Sequence, residues 1–343
     1  MILSFLISLV VTGCAPDQEE EPVDVGDPAP VLEVPDLTGV DLEQAYSDAL
    51  RLALSVNAGP VWTGHAGSLT LAQTGCPDFF AGAPSDELDL DEDAGGLSWA
   101  DHCTTAGGLF YYGWAWWDSD IQVSNEVDGE EGTATEASRT LDADGVVGDD
   151  DGVLYGFDGE ASDAVSTEET ASWSYWTWSS AVTGTLTGRT ILGDTDTPDG
   201  WRADLYLYAS GGDTTALTLS GNVFFFSPVN QDRFDSVSVD LTWASPEDSD
   251  PSACSLEPTG YISVRDSDAY WYDLVFQPTG EDDLTGESYA DEPYTDCDGC
   301  GTLYVRGIEQ STVCPDLSWV WDGAITPPDV EDYILTLRDL EGP

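Results

Sequence analysis

The sequence predicts a mainly β protein. The expected fold is an antiparallel β-sandwich or a large curved sheet, disulfide-stapled, with one N-terminal amphipathic helix packed on it. Three observations carry this. From residue 61 onward apolar residues recur with period two, as in strands buried on one face. Only the stretch near 41–56 has the 3.6-residue period of a helix. Clusters of Gly, Asp, Pro and Ser punctuate the strand pattern as turns do. With 41% hydrophobic residues and 13 Trp among 343 residues, the chain has ample material for a core despite its acidity.

Taken in chain order, residues 15–37 (APDQEEEPVDVGDPAPVLEVPDL) are acidic and Pro-rich without periodicity, and read as a tether. The helix follows. Asp41 and Gln44 form a capping-box-like start, and Leu42, Ala45, Tyr46, Ala49, Leu52, Ala53 and Val56 line one face. Arg51 lies towards its C-terminal half, and Asn57-Ala58-Gly59-Pro60 reads as its stop. Strands are clearest at 201–208, 215–226 and 236–243. There Leu205 and Leu207 face away from Arg202 and Asp204, and Val223 and Phe225 away from Asn222 and Phe224. Others are expected near 61–72, 109–117, 121–127, 153–158, 171–178, 183–192, 260–265, 270–277, 302–306, 308–313, 317–321 and 333–338.

Seven cysteines divide into Cys14 and six that suit disulfides in an oxidising compartment. The expected pairs are Cys76–Cys103, Cys254–Cys297 and Cys300–Cys314. The last pair is symmetric about Gly307, the centre of an expected hairpin. A zinc site at Cys297-Asp-Gly-Cys300 lacks the second CxxC it would need.

Catalytic equipment is sparse. There is no lysine, and neither a nucleophile elbow nor a zincin, P-loop or dinucleotide signature occurs. His65, in an expected strand, and His102, beside a cysteine, read as structural, so the chain is expected not to be an enzyme. No organic cofactor is implied. Calcium is the candidate ion: Asp194, Asp196, Asp199 and Asp204 follow a D-x-D…D-G…D pattern of hard oxygen ligands. Asp89-Leu-Asp91-Glu-Asp93 lacks an EF-hand's Gly and Glu, and Asp142-Ala-Asp144-Gly with Asp149-Asp150-Asp151 reads as a third acidic loop. The aromatic runs 109–117 and 173–178 place rings on both faces of a strand. One face packs inward and the other is a candidate glycan platform.

Charge narrows the partners. With 67 acidic residues against 8 arginines, the net charge of −59 argues against a nucleic-acid partner, whose phosphates need basic residues to displace their counterions. Divalent cations or glycans remain candidate ligands, and no protein partner is indicated.

The first fourteen residues, MILSFLISLVVTGC, are an apolar run closed by small residues, as in a secretory signal. Val11-Thr12-Gly13-Cys14 resembles the lipobox of bacterial lipoproteins. That resemblance implies acylation of Cys14 and anchoring in the cell envelope, and Ala15 after the cysteine implies the outer membrane. The expected organisation is a signal peptide at 1–13, a tether at 14–39, a helix-plus-β domain at 40–250 and a disulfide-stapled β region at 251–343, continuous with that domain or separate from it. The expected function is that of a non-catalytic cell-envelope lipoprotein with a structural or surface-binding role. The alternative is a periplasmic or surface carrier for a lipid, a glycan or calcium.

Overall fold

The computed structural model describes residues 35–84, 90–91, 95–127, 130–188, 200–212, 215–244, 258–276, 297–320 and 325–329. Helix α1 (Leu42–Ser55) starts where the sequence places it. The Asp41 carboxylate accepts the Gln44 N–H at 3.1 Å, satisfying one of the helix's free donors. Ala45, Tyr46, Ala49, Leu50 and Ala53 form its buried face.

The supposed stop at 57–60 is the start of a second helix, α2 (Ala58–Leu69), which replaces the strand expected at 61–72. Asn57 caps it by accepting the Gly59 N–H at 2.9 Å, and Pro60 sits in the first turn, where a missing N–H does no harm. The β-like residues Val61, Trp62 and Thr63 hid a helical burial pattern: Ala58, Val61, Trp62, His65, Ser68 and Leu69 are buried at helical spacing. His65 is therefore helical. Gly64 is needed where it stands, because a Cβ there would run into the Tyr155 ring.

Mainly β structure is what the sequence predicts, and the chain is so built. Thirteen of the strands described form one large antiparallel sheet, which does not close on itself. At one end β1 (Phe79–Ala81) pairs with β4 (Leu97–Thr104). Between them in sequence, β2 (Ala83–Pro84) and β3 (Leu90–Asp91) make a separate pair. From β4 the sheet is an unbroken meander, each strand beside its sequence neighbour. It runs through β5 (Phe110–Val127), β6 (Glu130–Asp149), β7 (Gly152–Thr170), β8 (Ser174–Thr187), β9 (Gly200–Gly211) and β10 (Ala216–Phe225). It continues through β11 (Phe234–Ala244), β12 (Thr259–Asp266), β13 (Trp271–Val275), β14 (Gly301–Val305) and β15 (Ile308–Val313). The sheet thus crosses residue 250 without interruption, and Asp36–Pro343 forms one compact unit.

Several expectations shift. The runs 109–117 and 121–127 are one 18-residue strand, β5, and 142–149, expected in an acidic loop, belongs to the 20-residue β6. Strand β6 is hard to read in the sequence because its inward positions mix small and charged residues, Ala137, Arg139 and Ala143, with only two larger apolar ones, Leu141 and Val147. Residues 318–320 form a 3₁₀ turn in place of a strand, and 333–338 lies outside the described residues.

Both helices pack on the same face of the sheet. The Tyr46 hydroxyl donates to the Tyr272 carbonyl at 3.0 Å and the Asn230 amide to the Ala45 carbonyl at 2.6 Å, fixing α1. The hydroxyls of Tyr111 and Tyr155 donate to the carbonyls of Ser68 and Val61, fixing α2. Between α2 and the sheet lie Trp62, His65, Trp117 and Tyr155. Each large apolar side chain so buried contributes roughly 1.5–3 kcal/mol.

Two disulfides join the expected partners, Cys76–Cys103 and Cys300–Cys314. The second closes the β14–β15 hairpin, whose two-residue turn is Arg306-Gly307, both at positive φ as a primed turn requires. Cys297 is also disulfide-bonded, and Cys254 lies outside the described residues.

Candidate functional site

The inner face holds a closely buried charged pair beneath α2. Arg139 on β6 and Asp163 on β7 are paired at 2.6 Å, with side chains 7% and 0% exposed. The Trp178 indole N–H donates to the other Asp163 oxygen at 3.3 Å, and the Trp62 ring lies 5.2 Å from the Arg139 guanidinium. Beside it, His65 is 1% exposed, with its Nε2 and the indole N–H groups of Trp62 and Trp117 unpartnered. Burial holds the His65 pKa down at about 3, so the ring is neutral. Covered by α2, these groups act on packing and orientation rather than on a solvent-borne ligand.

The outer face is different. Strand register sets Asp158, Thr185, Arg202, Phe224, Ser236, Arg265 and Trp271 in a single row across β7 to β13. The next row in the same direction carries Thr183, Asp204 and Asn222. These residues line an open groove of about 900 Å³. Phe224 is 38% exposed there. The Arg265 guanidinium lies 5.2 Å from the Phe224 ring and 5.7 Å from the Trp271 ring, and bonds the Asp235 carboxylate at 3.1 Å. Those contacts fix its orientation. Arg202 is exposed and has no acidic partner among the described residues. The Asp204 carboxylate accepts the Thr183 hydroxyl at 3.2 Å. A smaller groove of about 250 Å³ lies on the same face over β5 to β9, lined by Gln122, Glu136, Ser138, Ser166 and Tyr208 among others.

The residues picked out from sequence are placed as follows. Cys14, Asp194, Asp196 and Asp199 lie outside the described residues, and of the calcium pattern only Asp204 is described, on β9. Among the described residues no three His, Cys, Asp or Glu side chains converge as metal ligands. The aromatic run of β5 divides by parity: Tyr111 and Trp117 point inward, while Tyr112, Trp114 and Trp116 point outward. Tyr112 meets His102 edge-on at 4.7 Å, and the Trp116 indole donates to the Gly95 carbonyl at 3.1 Å. Trp178 is buried and Tyr175 exposed. Sequence reading missed Arg265 and Trp271, and missed that Arg202, Asn222 and Phe224 meet them. Alternation showed that Arg202, Asn222 and Phe224 point outward, but only the register brings them together with Arg265 and Trp271.

Compared with known proteins, the chain matches no family model, no curated protein and no solved structure. Among the described residues no helix is long and apolar enough to cross a membrane.

Proposed function

We propose that this chain is a non-catalytic, lipid-anchored protein of the bacterial cell envelope that presents the outer face of its sheet as a binding surface. The observation that carries the binding role is the groove across β7 to β13, where aromatic rings, guanidinium groups and carboxylates gather on the face opposite α1 and α2. The anchor rests on the lipobox-like Val11-Thr12-Gly13-Cys14 and the acidic tether after it. Disulfides suit an exported chain. We read the sheet as curved around the helices. Gly159, mid-strand in β7 at φ +138°, supports this, because a Cβ there would strike the Thr183 carbonyl on β8, and glycine kinks of this kind bend sheets. The aromatic filling between α2 and the sheet favours surface binding over carriage of a ligand in the interior.

The test is made in the native cell. Intact and lysed cells are treated with proteinase K, and the chain is followed by antibody in the parent and in Cys14→Ser. Acyl labelling of the parent and digestion on intact cells are expected, with Cys14→Ser unlabelled and found in the soluble fraction. A parent chain that takes no acyl label defeats the anchor, and protection until lysis defeats surface display.

A further inference from the structure

The ligand class follows from the charge and chemistry of the groove, and rests on the reading of the outer face as the binding surface. Across the chain, acids outnumber bases 67 to 8. The groove lining departs from that ratio, with Asp158 and Asp204 set against Arg202 and Arg265. With the Asp235 that binds Arg265 included, a ligand lying there meets an excess of a single negative charge, while the field of a chain at −59 repels polyanions. Arg139, Arg233 and Arg265 each hold a carboxylate, yet Arg202 has none among the described residues. It lines the groove with its guanidinium donors uncommitted to any carboxylate among the described residues.

We propose that this groove binds an uncharged oligosaccharide. A sugar hydroxyl donates and accepts at once, and neighbouring hydroxyls present such pairs side by side. The planar groups of Arg202, Asp158, Asp204 and Asn222 offer matching donors and acceptors, the Thr185 hydroxyl adds both, and the Thr183 hydroxyl, whose proton goes to Asp204, adds an acceptor. The C–H faces of sugar rings are apolar, and the rings of Phe224 and Trp271 supply surfaces for them to stack on. The row from Asp158 to Trp271 crosses six inter-strand spacings, about 29 Å, so it suits a chain of sugars better than a single one. Arg265, held by Asp235 and both rings, forms a fixed wall between the two aromatic positions.

The experiment is calorimetric titration of the detergent-solubilised full chain with neutral hexasaccharides of glucose, xylose and N-acetylglucosamine, and with an oligogalacturonate as the charged counterpart. Arg202→Gln and Phe224→Ser are compared with Tyr112→Ser, an exposed aromatic change outside the groove, and circular dichroism verifies the folding of each. At least one neutral hexasaccharide is expected to bind. Each groove substitution is expected to weaken it about tenfold, as loss of a hydrogen bond or a stacking surface does, with Tyr112→Ser within about twofold. No binding by any neutral sugar, binding indifferent to both groove changes, or binding of the galacturonate alone would each overturn the proposal. None of these outcomes alters acylation of Cys14 or protease access on cells, so the anchored-surface reading stands or falls separately.

Discussion

Replacing His65 with Phe removes a buried base and leaves an aromatic ring in its place, and the consequence should be a change in acid sensitivity. His65 is 1% exposed, its Nε2 has no partner, and the Trp117 ring lies 4.9 Å away. Desolvation holds its folded pKa at about 3, against about 6.5 in the unfolded chain. Between those values the unfolded state binds a proton that the folded state refuses. Stability contributed by the neutral ring is therefore complete above pH 6.5 and declines as pH falls towards 3. Two pH units below 6.5, at pH 4.5, the loss is about 3 kcal/mol. Many carboxylates titrate over the same interval, so the informative quantity is the difference between parent and variant, in which their contributions cancel. Urea unfolding of both chains from pH 7.5 to 4.5 measures it. The parent should lose about 3 kcal/mol more than His65→Phe over that interval. Parallel curves would mean that folded His65 accepts a proton readily and that the pocket is not as dry as its packing implies. An imidazole resonance of His65 that moves above pH 5 in the folded chain would refute the reasoning independently.

Four further outcomes are expected. Asp163→Ala leaves Arg139 buried without its carboxylate and should destabilise the fold by about 3–5 kcal/mol in urea, while Arg139→Met with Asp163→Leu recovers most of that; a single change worth under about 1 kcal/mol would show that the pair is solvated. Cys300→Ser with Cys314→Ser opens a link of sequence separation 14 and should lower stability by about 3 kcal/mol, against about 3.5 kcal/mol for the Cys76–Cys103 link of separation 27; thermal melts under non-reducing conditions read both. Raising salt from 10 mM to 1 M shortens the Debye length from about 30 Å to about 3 Å and should raise the melting temperature of a chain at −59, and a flat response would show that its carboxylates are already neutralised by bound cations. Asp196→Ala should weaken calcium binding seen by calorimetry, and an unchanged affinity would remove the 194–204 segment as a site.

Much of the fold is legible in the amino-acid sequence. Asp41 capped the helix it was expected to cap, because capping depends on one side chain and the N–H three residues on. The Cys300–Cys314 link was equally readable from the symmetric spacing of both residues about Gly307, although the turn itself is Arg306-Gly307 and a bulge between Leu303 and Tyr304 restores the register that this spacing assumes. Helix α2 was misread because local propensity and tertiary demand conflict there: Val61, Trp62 and Thr63 favour strand, while burial of Ala58, Val61, Trp62, His65 and Leu69 on the sheet favours helix. Strand β6 is obscured in another way: Ala137, Arg139 and Ala143 interrupt the inward apolar series that Leu141 and Val147 would otherwise mark.

The sequence by itself determined which way each side chain of a strand points, because alternation is a property of the single strand: Leu205 inward, Arg202 and Asp204 outward. It could not determine which outward residues meet. Arg202, Phe224, Arg265 and Trp271 lie on four strands between residues 200 and 275, and their alignment in one row depends on the register of every ladder between them. A slip of one residue in any ladder would send the following strands' side chains to the opposite face. Register is fixed by burying the apolar face of all the strands together against α1 and α2, an energy that exists only once the sheet is assembled. The groove is therefore a product of the tertiary structure.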